Sequence, residues 1–226
     1  RTCEILLKHG ANPNGSGGWY SLPLVAAIVG KNKNIIRQLV DAGADLNRIA
    51  GGRYGGPLPA AAAFGMNDLI KELVECGAKV NDDDDKASDA LYAASLAGHV
   101  STVELLLDMG ADVNAKGGRH RNALGVASAE GNIEIVHMLL DAGAGVEFFD
   151  EHWGNALIVA AQEGHTAVVT ALANHGMDPN AATNGKGCAL AAAAQNGHDS
   201  VIKALFDLGV PSGDTWEMSD ALIAAS

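Results

Sequence analysis

Residues 89–114 read DALYAASLAGHVSTVELLLDMGADVN. Asp89 to Ala97 is a short Ala-rich segment broken at Gly98, where the backbone freedom of glycine suits a tight turn. Val103, Leu106 and Leu107 then fall at i, i+3 and i+4, one buried stripe of a second helix. Gly110-Ala111 ends that helix, and Asn114 opens a loop. Residues 122–147 repeat the phrase as NALGVASAEGNIEIVHMLLDAGAGVE. The Gly-Ala landmark stands at Gly10, Gly43, Gly77, Gly110 and Gly143, with degenerate copies at Gly176-Met177 and Gly209-Val210. Successive spacings are 33, 34, 33, 33, 33 and 33. A second landmark, Leu followed by Ala three residues on, keeps the same phase from Leu24/Ala27 through Leu91/Ala94 to Leu222/Ala225. Two independent landmarks in one period mark a repeat architecture.

Each period predicts two short helices and an extended loop. The first helix is built of small residues, as in Ala156-Leu157-Ile158-Val159-Ala160-Ala161, which lets neighbours approach closely. The second carries the stripe, at Val136/Leu139/Leu140 and Ile202/Leu205/Phe206 in later copies. This unit resembles the ankyrin repeat. That family's TPLHxA element appears as Leu22-Pro23-Leu24-Val25-Ala26-Ala27 and Gly56-Pro57-Leu58-Pro59-Ala60-Ala61, weakening later to Asn122-Ala123-Leu124 and Cys188-Ala189-Leu190, and its His is absent. The loop phrase Gly-Gly-x-Tyr/His resembles ankyrin arrays of filamentous-fungal NACHT (NOD-like) proteins, which implies ligand sensing by part of a larger receptor.

The expected fold is therefore an all-α solenoid of paired antiparallel helices with hairpin-like loops. Full repeats are expected at 15–47, 48–81, 82–114, 115–147, 148–180 and 181–213, with partial repeats at 1–14 (second helix) and 214–226 (first helix). One unit cannot bury its own apolar face, so stacking must supply the core; at roughly 10 Å per layer the full repeats predict a rod on the order of 60 Å. Both ends fall inside a repeat, so the chain reads as a segment of a longer, monomeric module.

Composition narrows the partners. Fifteen Lys+Arg against 27 Asp+Glu give a net charge of −12, which repels phosphate backbones and anionic lipid surfaces. Neither nucleic acid nor membrane is an expected partner. Apolar runs long enough to span a bilayer and a secretory leader are both absent from the sequence. Cys3, Cys76 and Cys188 lie whole repeats apart, beyond the ~7 Å reach of a disulfide, which suits an intracellular, cytoplasmic setting. The sequence holds no GxxxxGK[ST], GxSxG, HExxH or CxxC motif, so no enzyme activity, cofactor or metal is expected. Cys3 is placed in a buried stripe, Cys76 at a helix end and Cys188 at a loop-to-helix junction.

Chemistry concentrates in the loops. Of ten aromatics, seven fall there: Trp19, Tyr20, Tyr54, Phe148, Phe149, Trp153 and Trp216. So do Arg48, Arg53, Lys86, Lys116, Arg119, Arg121 and Lys186. Aromatics and Arg dominate binding hot spots. Counting four and five residues back from the repeated Leu gives a row of loop-tip positions. From it and its flanks, Trp19, Tyr20, Arg53, Tyr54, Arg119, His120, Arg121, His152 and Trp153 are the candidate partner-binding residues for a protein on the concave loop-and-first-helix face. Tyr20 and Tyr54 could instead simply stack on the neighbouring loop. A small-molecule pocket is an alternative, with His120 or His152 as a base and Trp153, Asp150 and Glu151 caging a cation; a structural spacer is another. His99, His165 and His198 each follow the turn residue and have a structural role, while His9 and His175 sit at second-helix ends. Asp82-Asp83-Asp84-Asp85-Lys86 reads as a solvated acidic tip without the interleaved spacing of a Ca²⁺ loop.

Overall fold

The computed structural model describes residues 1–49, 54–81, 89–116, 122–146, 155–181, 188–211, 219, 221–223 and 225. Two compact units form, Arg1–Gly118 and Arg119–Ser226. The first holds α1 (Thr2–Lys8), α2 (Pro23–Val29), α3 (Lys33–Asp41), α4 (Pro57–Ala63), α5 (Asn67–Glu75), α6 (Ala90–Leu96) and α7 (Val100–Asp108). The second holds α8 (Ala123–Ala129), α9 (Ile133–Asp141), α10 (Ala156–Gln162), α11 (Thr166–Asn174), α12 (Ala189–Gln195) and α13 (Asp199–Asp207). No strand occurs among the described residues. The fold class is the all-α repeat solenoid that the period predicts.

Even-numbered helices are the first of each pair and odd-numbered ones the second. Within each pair the two helices pack together, and first helices stack on first helices: α2 on α4, α4 on α6, α8 on α10, α10 on α12. Alanine permits this closeness. Ala60, Ala61 and Ala62 of α4 are fully buried, as are Ala127 of α8 and Ala160 and Ala161 of α10. Between them sit Leu24, Leu58, Leu91, Leu124, Leu157 and Leu190, each at most 3% exposed. One such burial stabilises by about 2 kcal/mol.

Second helices present their stripe inward, through Val103 and Leu106 of α7 and Val136, Leu139 and Leu140 of α9. In α13 the stripe lies one step off the predicted one: Val201 and Leu205 are buried while Ile202 and Phe206 are half-buried. The N-terminal helix is a correction. Cys3 was expected in a buried stripe, but α1 contains no buried residue, and Ile5 and Leu6 are exposed, because the packing of α1 on α3 is slight.

Turns between paired helices carry a tertiary joint as well. Gly131 and Gly164 take positive φ, 72° and 83°. A Cβ on either would meet the imidazole of the next repeat's histidine, 2.5 Å from His165 Nδ1 and 2.7 Å from His198 Nδ1. Those rings hydrogen-bond back across the joint, His165 Nε2 to the Ala129 carbonyl (3.0 Å) and His198 Nε2 to the Gln162 carbonyl (2.9 Å). His99 does the same for Ala63 at 3.2 Å. Glycine is thus required twice, for the left-handed backbone and for the ring that rests on it.

Candidate functional site

The loop that leads into α2 is the most exposed aromatic feature among the described residues. Gly17 N–H donates to the Ser21 carbonyl at 3.0 Å, closing a hairpin-like turn. Gly18 takes φ 69°, as the Gly-Gly phrase predicts, and Ser21 takes φ 60°. The second value is notable, because non-glycine residues seldom adopt it and such strain gathers at functional segments. Leu22 N–H then donates to the Tyr20 carbonyl at 2.7 Å, and buried Leu22 anchors the loop to the core. Pro23, with its fixed φ, opens α2.

This backbone pushes its two rings outward. Trp19 is 83% exposed and Tyr20 38%. They border a hollow of about 350 Å³ whose other walls are Gly15 to Gly18, Leu22, Pro23 and Ala26. None of these residues is charged, so the hollow suits a neutral, largely apolar group. Ala26 of α2 and Leu96 of α6 (46% exposed) are further exposed apolar residues on first helices.

Tyr54 holds the same repeat position as Tyr20 and behaves differently. Its ring lies 5.5 Å from that of Phe64 at a tilt of 48°, and the Lys31 ammonium sits 5.5 Å over the Phe64 ring. Tyr54 is consequently half-buried, and the ring it stacks on belongs to the end of α4 in its own repeat and not to a neighbouring loop. Phe64 makes the difference: one repeat earlier its place belongs to Gly30, which offers Tyr20 no ring.

Arg53, Arg119, His120, Arg121, His152 and Trp153 lie outside the described residues, as does Asp82 to Lys86. Of the nine candidate residues, Trp19 and Tyr20 are therefore seen together at one tip and Tyr54 at another.

Other polar groups serve the scaffold. Asn14, Asn47 and Asn81 bridge successive repeats. Each donates its side-chain amide to a carbonyl about thirty residues on, Gly43, Gly77 and Gly110, at 2.9–3.0 Å. Each also accepts an N–H, from Asp45, Lys79 and Asp112, at 2.7 Å. The signal was available, an Asn in constant phase with the Gly-Ala pair. Asn180 departs from the pattern. Two residues beyond the next landmark Gly stands Pro211, which has no N–H, and Asn180 Oδ1 is left buried without a partner among the described residues. Arg48 adds a tie by donating from Nη1 to the Asn14 carbonyl.

Asp89 caps α6 by accepting the Tyr92 N–H. Burial pushes its carboxyl up to about 6, against the lowering effect of the Tyr92 N–H, and the neighbouring Asp112 carboxylate adds to the rise. The equivalent caps of α8 and α10 are neutral, Asn122 and Asn155.

Among the described residues no three His, Cys, Asp or Glu side chains group to hold a metal, and no helix is long and apolar enough to cross a membrane. Cys3, Cys76 and Cys188 are all free thiols, half-buried, exposed and buried respectively.

No curated protein matches the chain. A family model described as ankyrin repeats (3 copies) matches residues 58–150 and 142–214. Repeats of this kind generally mediate protein–protein interaction and are typically not enzymes. The two matches together cover more than half of the sequence and follow the same repeats as the stacked helix pairs, and the chain belongs to the ankyrin-repeat family.

Proposed function

We propose that this chain is a protein-recognition module that receives its partner on the face formed by the loops and first helices. The observation that supports this most is the exposure of Trp19, 83%, beside Tyr20 and an uncharged hollow. A large ring held in water on a strained, hydrogen-bonded loop contributes nothing to the core, whereas buried in an interface it becomes an anchor. The preformed scaffold keeps the ordering cost of binding low. In the repeat frame 15–47, 48–81, 82–114, 115–147, 148–180 and 181–213, with partial repeats at 1–14 and 214–226, Arg53, Arg119, His120, Arg121, His152 and Trp153 hold or flank the sequence positions that correspond to this tip. Of these, Arg53, Arg119 and Arg121 add charge complementarity, and His120 and Trp153 serve as further anchors. Tyr54, engaged by Phe64, stiffens the edge between tips rather than reaching outward.

The Gly-Gly-x-Tyr/His phrase supports a finer reading, in which the array is the monomeric, ligand-sensing part of a cytoplasmic NOD-like receptor. The test of the surface is capture of binding proteins by wild-type chain, by Trp19→Ala with Tyr20→Ala, and by Trp153→Ala with Arg119→Ala. Both double variants are expected to lose capture while keeping the wild-type thermal midpoint. Undiminished capture by both would sink the proposed surface.

A further inference from the structure

The second-helix layer is not closed everywhere. In the second unit α11 packs against α9 and α13 against α11. In the first unit α3 and α5 pack less closely than these pairs, and a groove of about 460 Å³ lies along them. The repeat register shows what differs. On the side facing the preceding second helix, α11 presents Ala167 and Ala171, and α13 presents Ser200 and Ala204. In the same two places α5 carries Asp68 and Glu72. Both carboxylates are exposed and line the groove. Both carboxylates favour hydration, and the small residues of α11 and α13 are replaced by charge where the groove lies.

We propose that this groove docks a short basic amphipathic helix of a protein partner, on a surface separate from the Trp19 loop and independent of it. The groove has an apolar floor of Ile36, Val40, Met66, Leu69 and Leu73. Its rim is charged in an ordered way. Lys33 and Arg37 of the N-terminal half of α3 stand with Asp68 of the N-terminal half of α5, whereas Asp41, Glu72 and Glu75, from the C-terminal halves of α3 and α5, make the other end wholly acidic and the rim net negative. Neither helix has a basic residue in its last turn, so their dipoles add to the negative end. Nine residues per helix give a groove of about 13 Å, the length of two to three helical turns. The complementary segment has apolar residues at i, i+3 or i+4 and i+7, and Lys or Arg toward the acidic end. An acidic or purely polar segment would meet four unneutralised carboxylates there (Asp41, Asp68, Glu72 and Glu75).

The probe is a labelled twelve-residue Leu/Lys amphipathic helix, compared with a scrambled peptide of equal composition. Binding is read by fluorescence anisotropy. Protection of the Cys76 thiol from iodoacetamide is a second reading, since Cys76 is exposed at the groove's end and Cys3 serves as internal reference. The amphipathic helix is expected to bind and protect Cys76, and the scrambled peptide to bind at least tenfold more weakly. Glu72→Gln with Glu75→Gln should weaken binding about tenfold, and Glu72→Lys with Glu75→Lys should abolish it. Glu104→Lys with Asp108→Lys makes the same charge change on α7, outside the groove, and should alter binding less than twofold; Trp19→Ala should not alter it. Equal losses from the α5 and α7 pairs, equal binding of the scrambled peptide, or binding without Cys76 protection would each overturn the proposal.

Discussion

The two units place different residues at equivalent positions of the same repeat. At the interhelix turn, the second unit uses Gly164 with the His198 ring resting on it, while the first unit begins with Lys31, forced to φ 51°, followed by Asn32. At the first-helix cap, Asn122 and Asn155 in the second unit face Asp89 in the first. On the outer layer, alanine and serine between α9, α11 and α13 contrast with carboxylates between α3 and α5. One repeat frame therefore yields a closed stack in one place and a strained, charged, partly open one in another. Of these departures, the carboxylates fall where the groove opens, whereas Lys31 lies over Phe64 and Asp89 caps α6.

Three substitutions break or sharpen this contrast. The largest effect is expected from Gly164→Ala. Its Cβ would enter the His198 ring at 2.7 Å on a backbone of φ 83°, so the variant should lose about 3–4 kcal/mol in urea unfolding, through left-handed strain and loss of the His198 bond. A loss below about 1 kcal/mol would mean that the joint is softer than its geometry implies.

Next comes Asp89→Asn. A folded value of about 6 against an ordinary 3.8 means that the native state binds the proton more tightly than the unfolded chain. Stability should fall as pH rises from about 4 to about 6, with the penalty absent below this window and complete above it. Asparagine keeps the cap, as Asn122 and Asn155 show, and removes the charge. The variant should gain about 3 kcal/mol at pH 7 and almost nothing at pH 3.5, measured as urea midpoints across pH. A gain that is constant with pH would assign the benefit to something other than the buried carboxyl.

The smallest effect is expected from Lys31→Gly. Relief of the left-handed strain is opposed by loss of the ammonium over Phe64 and by the greater freedom of glycine in the unfolded chain. The net gain should be about 0.5 kcal/mol, rising to about 1 kcal/mol in a Phe64→Leu background where no ring contact is lost. Identical gains in both backgrounds would show that the Lys31–Phe64 contact carries no energy.

Much of the scaffold was legible, because its signals are local. Period, helix pairs, turn glycines and the structural role of His99, His165 and His198 follow from spacing within a repeat and its recurrence. The candidate surface was legible only as a set of residue types. Tyr20 and Tyr54 look alike in sequence, and their divergence rests on Gly30 versus Phe64, ten residues along each repeat. The bridging role of the asparagines was not legible because their partners stand about thirty residues away.

What the chain's sequence determines unaided is therefore the brick: an apolar face that no single unit can bury, and the turns that pair its helices. What the tertiary structure alone decides is how each brick meets the next. It decides which ring is stacked and which is left in water, which carboxylate is desolvated, and which pair of outer helices packs less closely. The physical reason is that burial, dielectric and helix separation belong to pairs of neighbouring repeats. They are set by side chains some 33 residues apart, whose meeting exists only once the stack has formed.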